Sequence, residues 1–169
     1  SDPVKLTDVK AYDAEATISP KGDRIIFTST RDNDIELYSM NLDGSDVKRL
    51  TNIPGYDGGA YYSYDGSMIV FRASRFENEE KLKEFQNLLA EGLVKPSKLE
   101  IYVMNADGSD IRQLTNNGAA NFGPYFYPDG KRVIFCSNMD DPTGRNFDLY
   151  KIHIDGSGLE RITYNDTFD

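Results

Sequence analysis

Residues 103–115 read VMNADGSDIRQLT, and nearly the same line, SMNLDGSDVKRLT, stands at residues 39–51. A third copy, HIDGSGLERIT, occupies residues 153–163. An Asp-Gly-Ser sequence, a short basic and apolar run and a threonine therefore recur along the chain. A catalytic motif normally occurs once, whereas the sequence of a structural unit recurs with each unit that is built. The recurrence indicates a repeat protein.

The threonines that end these lines set the period of the repeat. They are separated by 44, 64 and 48 residues, and they are Thr7, Thr51, Thr115 and Thr163. Thirteen residues after each of the first three comes a turn, SPKGDR, SYDGSM or YPDGKR, and then an apolar run, RIIFTST, MIVFRAS or RVIFCSN. Each unit thus holds four strand-like segments, rich in β-branched and aromatic residues and joined by glycine turns that need positive φ. Four antiparallel strands every 40-odd residues are typical of a propeller blade.

The sequence therefore predicts an all-β chain, a single partial β-propeller domain over residues 1–169 with three four-stranded antiparallel blades. We name the strands of a blade A to D in chain order. Blade 1 is predicted over 12–52, blade 2 over 56–116 and blade 3, with the start of the next connection, over 120–169. Because VKLT at 4–7 resembles the D strands, residues 1–8 are predicted as the outer strand of a preceding blade.

The Asp-Gly-Ser turns and the strand endings D-L-Y and R-x-L-T resemble the repeats of TolB-type β-propellers, which are WD-like in their blades. The resemblance runs from about Val4 to Thr163. It implies a bacterial periplasmic or extracellular location and an envelope protein as partner. The same repeats occur in peptidase propellers, sugar-lyase propellers and plain binding proteins, so the fold is indicated more strongly than the function.

Three blades do not close a ring, and their end faces would leave apolar strand surface in water. One interpretation is that the chain is a fragment of a longer propeller. The alternative is a homodimer in which two copies complete a six-bladed ring.

Composition limits the partners. The net charge of −9 argues against nucleic acid and anionic membranes, which require a basic footprint, and favours a basic protein or a cation. No apolar run reaches the length of a membrane span, so membrane insertion is not expected. Cys136 is the only cysteine, which excludes an internal disulfide.

The B–C and D–A connections vary most in length, and binding residues favour such loops on a rigid scaffold. Six residues after each threonine stand Asp13, Asp57, Asn121 and Asp169, and Tyr12 and Tyr56 precede the first two. Repetition around the propeller axis would place these residues in a ring at the mouth of the central channel. The sequence therefore predicts that this ring of carboxylates binds a cation or basic side chains. The alternative is that each residue caps its own loop by bonding to backbone amides. If the carboxylate serves binding, Asp57→Ala leaves stability nearly unchanged.

The sequence predicts a helical insertion over residues 75–96 in the B–C loop of blade 2. Leu82, Phe85, Leu88 and Leu89 recur at helical spacing, Ser74 or Asn78 is suited to start the helix, and Gly92 and Pro96 mark its end. The apolar stripe packs onto the propeller or, alternatively, docks a partner through Leu82, Phe85 and Leu89.

Catalytic and metal-binding patterns are scarce. There is one histidine, His153, and no Gly-x-Ser-x-Gly sequence, phosphate-binding glycine loop or dinucleotide fingerprint. RDND at 31–34 and MDDPTGRN at 139–146 lack the spacing of a calcium-binding EF-hand loop. We expect no metal, no cofactor and a non-catalytic module that binds a protein or peptide. The alternative is an accessory propeller of a hydrolase or polysaccharide lyase whose catalytic residues lie outside this sequence.

Overall fold

Three antiparallel sheets follow one another along the residues that the computed structural model describes, which are 2–95, 98–141 and 143–165. The first contains β1 (Asp13–Ile18), β2 (Arg24–Ser29), β3 (Glu36–Asn41) and β4 (Lys48–Arg49). The second contains β5 (Tyr56–Tyr62), β6 (Met68–Ser74), β7 (Glu100–Asn105) and β8 (Arg112–Gln113). The third contains β9 (Asn121–Phe126), β10 (Arg132–Ser137), β11 (Asp148–His153) and β12 (Glu160–Arg161). Strands neighbour each other in chain order within every sheet, which confirms the predicted four-stranded blades.

The register of the second and third strands is the same in every blade. A phenylalanine of the second strand pairs across the ladder with a tyrosine of the third, in the pairs Phe27–Tyr38, Phe71–Tyr102 and Phe135–Tyr150. The two ring centroids lie 5.8, 5.6 and 5.9 Å apart in these blades. Cross-strand aromatic pairs of this kind stabilise a sheet and fix its register.

The core lies between the blades. One cluster joins Ile26 and Leu37 of blade 1 to Ile69 and Phe71 of blade 2. A second cluster joins the other face of blade 2 to blade 3, with Val70, Ile101, Val103, Phe126, Val133, Phe135 and Tyr150 among its members. The middle blade is therefore buried on both faces, which explains why residues 68–71 of β6 and 101–104 of β7 are continuous apolar runs without alternation.

The Asp-Gly-Ser turns have one structure in all three blades. In each, the aspartate Oδ1 accepts the serine backbone N–H at 2.9 Å and the serine hydroxyl at 2.6 Å. The glycines have φ of 85°, 88° and 84°, as predicted, and they are Gly44, Gly108 and Gly156. The motif at the centre of the repeat is thus a tight turn between the third and fourth strands.

The repeated threonine locks the end of the fourth strand onto the third. The Thr51 hydroxyl accepts the Leu37 amide at 2.9 Å, Thr115 accepts Ile101 at 2.8 Å and Thr163 accepts Leu149 at 2.9 Å. Since β4, β8 and β12 are only two residues long, the hydroxyl replaces a ladder bond that the short strand does not supply.

Residues 2–7 have no strand hydrogen bonding, although an outer strand was predicted over 1–8; Ser1 lies outside the described residues. An outer strand forms by pairing with the third strand of its own blade, and residues 2–7 pair with none of the described strands. Leu6 still takes an outer-strand position: a β-carbon at Gly44 would lie 2.5 Å from its carbonyl oxygen, as one at Gly108 would lie 2.8 Å from the carbonyl oxygen of Leu50.

The predicted insertion contains one helix, α1 (Glu79–Ala90). It begins after Asn78, whose side chain accepts the Lys81 amide at 3.0 Å, whereas Ser74 ends β6. Gly92 has φ of 74° and follows the helix as a C-terminal glycine should. Pro96 lies outside the described residues.

Candidate functional site

One edge of the sheets gathers the B–C and D–A connections. The Thr30 amide, at the end of β2, donates to the Tyr12 carbonyl at 3.1 Å. The Asp57 amide donates to the Ile35 carbonyl at 2.8 Å, which brings the start of β5 beside the start of β3 in the preceding blade. We call this edge, with α1, the loop face.

A cavity of about 730 Å³ opens on the loop face between α1 and the first two blades. It brings together three residues that the sequence predicted as partner-binding, Tyr12, Tyr56 and Leu89. The remaining lining is mixed, with Lys10, Glu15, Thr28, Thr30, Asn33, Ile35, Gln86, Ala90, Gly92 and Val94. We call this space the loop-face cavity; its size and its mixture of apolar wall and hydrogen-bonding groups suit a ligand site.

Glu15 lines this cavity in an unusual backbone conformation. Its φ is 54°, in the left-handed region that favours glycine. The corresponding positions of blades 2 and 3 are glycines with φ of 61° and 56°, namely Gly59 and Gly123. Each stands eight residues after its threonine, where the first strand carries a bulge. A strained residue at a cavity wall is a recurrent property of functional sites.

The Glu15 carboxylate crosses from blade 1 to blade 2. It accepts the Gly59 amide at 2.8 Å and the Thr28 hydroxyl at 3.2 Å, and it forms an ion pair with Arg72. Arg72 also donates to the Tyr56 hydroxyl at 2.8 Å, and its guanidinium lies 5.6 Å from the centre of that ring. The strain at Glu15 is therefore offset by a set of charge-assisted bonds between two blades.

The group formed by Glu15, Arg72 and Tyr56 has no net charge. Burial alone would raise the pKa of Glu15, but the Arg72 guanidinium and the Gly59 amide outweigh it and lower the pKa below its usual value. Burial raises the pKa of the Tyr56 hydroxyl, which stays protonated. The carboxylate and the guanidinium cancel, so this part of the wall offers hydroxyl and aromatic contacts in place of a net charge.

Among the residues that the structure describes, the predicted members of the carboxylate ring do not line the loop-face cavity. Asp57 is fully buried between blades 1 and 2, where its Oδ1 accepts Arg75 Nη2 at 2.6 Å. Burial raises the pKa of Asp57 to about 7, opposed by Arg75 and reinforced by the nearby carboxylate of Glu36. Glu36 is also fully buried, and it is paired with Arg49 at 2.7 Å.

The other members of the ring occupy the same kind of junction. Asn121 is buried and donates to the Leu99 carbonyl at 2.6 Å and to Glu100 at 3.3 Å. Asp13 is partly buried and pairs with Arg31 at 3.2 Å. Asp169 lies outside the described residues. The bonds of Asp57 and Asp13 to arginine side chains differ from both sequence interpretations, since neither an open carboxylate nor a capped backbone amide accounts for them.

The remaining predicted residues lie on α1. Phe85 is buried and packs on Phe76, with ring centroids 5.0 Å apart, while Leu82 and Leu89 are half-buried. Sequence reasoning missed Glu15 and Arg72. The signal for Glu15 was present, because the repeat alignment sets this glutamate where the other blades have glycine.

No protein-family model matches the chain. A protein of Agrobacterium fabrum described as uncharacterized is 33% identical over 78 residues, which are 44% of this chain and 25% of that protein. The chain therefore spans a quarter of the length of this curated relative.

Three solved structures share the fold. A putative TolB from Agrobacterium tumefaciens has a TM-score of 0.68 and 24% identity, over 92% of this chain and 50% of that one. TolB from Acinetobacter baumannii has a TM-score of 0.71 and 20% identity, over 96% of this chain and 35% of that one. A puromycin-hydrolyzing peptidase of Mycobacterium tuberculosis has a TM-score of 0.66 and 12% identity, over 92% and 24%. The chain is built as a segment of a TolB-like β-propeller, as the repeats predicted.

The described residues contain one helix, α1. Their single helix, at 12 residues, is neither long nor apolar enough to span a bilayer. Within the same ranges, no three His, Cys, Asp or Glu side chains group in a way that would hold a metal ion.

Proposed function

We propose that this chain is a non-catalytic propeller module of the bacterial cell envelope that binds a protein or peptide at the loop face. The observation that carries the proposal is the loop-face cavity, which joins Tyr12, Tyr56 and Leu89 from two loops and an inserted helix. The fold likeness to two TolB structures supports the envelope setting and the periplasm as its location.

The chemistry of the cavity favours a peptide segment. Tyr12 keeps 67% of its surface exposed, and tyrosine offers a large contact area at a low cost in side-chain entropy. Leu89, Ala90 and Val94 give an apolar wall for one side chain, while Asn33 and Gln86 offer amide groups to a backbone.

Charge contributes at long range. The net charge of −9 attracts a basic partner before contact. The carboxylates Asp13 and Asp57 are paired with Arg31 and Arg75, so the contact itself depends on the tyrosines and the apolar wall.

The experiment is a selection of dodecapeptides displayed on phage against the full chain, followed by binding measurements on variants. Tyr12→Ser and Leu89→Asp should abolish binding of the selected peptides. Tyr64→Ser is the matched control, because Tyr64 is also an exposed tyrosine but stands in the turn between β5 and β6, away from the loop face. Selected peptides that bind all three variants equally, or a selection that yields no binders, would overturn the proposal.

An accessory propeller of a hydrolase or polysaccharide lyase is the second candidate. The fold likeness to a peptidase favours it, and this chain spans 24% of that protein. Under this hypothesis, the loop face would contact a catalytic domain in place of a separate partner, and the parent protein would hydrolyse a peptide or cleave a polysaccharide.

A further inference from the structure

A second cavity lies against a different face of α1. Its volume is about 300 Å³, and its floor is apolar, formed by Phe76, Phe85 and Leu88. On α1, the floor residues Phe85 and Leu88 lie on a different stripe of the helix from Gln86, Leu89 and Ala90 of the loop-face cavity. We call this second cavity the α1 pocket. Its size suits one large apolar group, at the lower end of the range for ligand sites.

The rim of the α1 pocket is basic, whereas the molecule as a whole is acidic. The chain has 28 acidic and 19 basic residues. Around this pocket, however, four basic side chains meet two acidic ones: Arg75, Lys81, Lys95 and Lys98 against Glu77 and Glu84.

The rim cations are only partly neutralised. Lys81 and Lys95 share one carboxylate, that of Glu84, at 3.7 and 2.9 Å. Arg75 is held by Asp57, outside the pocket lining. Lys98 has no carboxylate within ion-pair distance in the part of the chain that the structure describes. A lysine that no described carboxylate pairs with, at the rim of an apolar pocket, is complementary to an anion attached to an apolar group.

We propose that the α1 pocket binds an apolar carboxylate. An aromatic or branched aliphatic group fills the floor against Phe76 and Phe85, and the carboxylate meets Lys98 and the neighbouring lysines of the rim. Both the C-terminal residue of a protein chain and a free aromatic acid have this chemistry. The proposal adds a second site to the loop-face cavity and does not depend on it.

The probe is N-acetyl-L-phenylalanine, titrated into the full chain and followed by amide NMR shifts. We expect saturable shifts at residues 76–88 and 98. N-acetyl-L-phenylalaninamide, which has the same ring but no charge, should bind about tenfold or more weakly, the factor that loss of a charge-assisted hydrogen bond gives. Lys98→Ala should weaken binding of the acid by a similar factor. Lys83→Ala is the control, since Lys83 is exposed on α1 but lines neither cavity, and it should change nothing.

The two sources of the ligand are separated by a dodecapeptide that ends in phenylalanine. Tighter binding of the free-acid peptide than of the acetylated amino acid identifies a chain terminus. Equal or weaker binding identifies a small acid. Shifts that do not saturate, or equal affinities for acid and amide, would overturn the proposal. Because Tyr12→Ser leaves this pocket intact, the titration on that variant gives a result independent of the loop-face site.

Discussion

The backbone of Glu15 has a φ of 54°, in the left-handed region. The equivalent residues of blades 2 and 3, Gly59 and Gly123, have the same conformation. A left-handed conformation costs a non-glycine residue about 1–2 kcal/mol. In blade 1 this cost is offset because the Glu15 carboxylate forms an ion pair with the guanidinium of Arg72. Only 15% of the Arg72 side chain is exposed. Strain and ion pair are therefore two parts of one arrangement.

A double-mutant cycle measures this arrangement. Glu15→Gly restores the residue of the other blades, and Arg72→Thr introduces the residue that blade 1 has at the equivalent position, Thr28. Glu15→Gly alone should destabilise the chain, because the gain from relieved strain is smaller than the loss of the partner of a mostly buried arginine. The double variant should be more stable than the sum of the single changes by about 1–3 kcal/mol, measured by urea unfolding. Additivity within about 0.5 kcal/mol would show that the two side chains are not coupled.

Asp57 predicts a pH dependence with a definite sign. Its pKa is raised from 3.8 to about 7 in the folded chain, so the folded state holds the proton more tightly than the unfolded state. The stabilising contribution of the protonated group is complete below pH 4, declines as the pH rises toward 7, and is absent above it.

The repeat supplies the matched variant. Blade 3 has Asn121 and Met139 where blade 2 has Asp57 and Arg75. We therefore compare the free energy of unfolding of the double variant, Asp57→Asn with Arg75→Met, with that of the unchanged chain. The difference should shift in favour of the double variant as the pH rises from 4.5 to 7. The shift should be no more than a few kcal/mol, since one pKa unit is about 1.4 kcal/mol. Asp65→Asn is the control: bonds from Ser63 and Ser67 lower the pKa of Asp65 to about 2, so its effect should be constant over that range. Parallel unfolding curves for all three proteins would refute the assignment. The burial of Asp57 also leads us to expect that Asp57→Ala loses stability.

At the scale of elements, the repeated threonine connects the last two strands of every blade. Thr115 accepts the Ile101 amide at 2.8 Å and donates to Glu100 at 2.6 Å, and only 3% of its surface is exposed. Thr115→Val preserves its shape but leaves a buried amide without an acceptor, which should cost about 1–3 kcal/mol in the free energy of unfolding. Thr115→Ser keeps the hydroxyl and should lose much less. If both variants lose the same amount, packing of the methyl group is the role of this residue.

Local chemistry explains how far these elements were predictable. The Asp-Gly-Ser turns and the Asn78 cap depend on residues two or three positions apart, and such patterns are visible in a sequence. The pairing of Glu15 with Arg72 spans 57 residues and two blades, so no local pattern contains it. The repeat alignment correctly set Asp57 and Asn121 at equivalent positions. The alignment did not reveal that the side chain at this position is buried at the junction of two blades. Residue spacing alone does not distinguish an exposed carboxylate from one that is buried and paired with an arginine, as Asp57 is.

At the scale of the whole molecule, the position of the N-terminal segment determines whether two copies of the chain can form a closed ring. Leu50 of blade 1 lies against Gly108 of blade 2, and Leu6 lies in the same way against Gly44 of blade 1. The N-terminal segment therefore occupies the place where the outer strand of a preceding blade would sit. In a ring made of two copies, blade 3 of the partner would bring its own outer strand, β12, to that place. Both segments do not fit there, so the ring requires one of them to leave.

We therefore expect light scattering to give the mass of one chain, 19.0 kDa, over a wide range of concentration. A chain shortened to begin at Val9 removes the obstructing segment and is the informative comparison. If the blades have the curvature for a closed six-bladed ring, the shortened chain should associate into a species of twice its mass while the longer chain does not. A dimer of the unshortened chain would contradict the argument, because it would mean that Leu6 leaves its position against Gly44 at little cost in free energy.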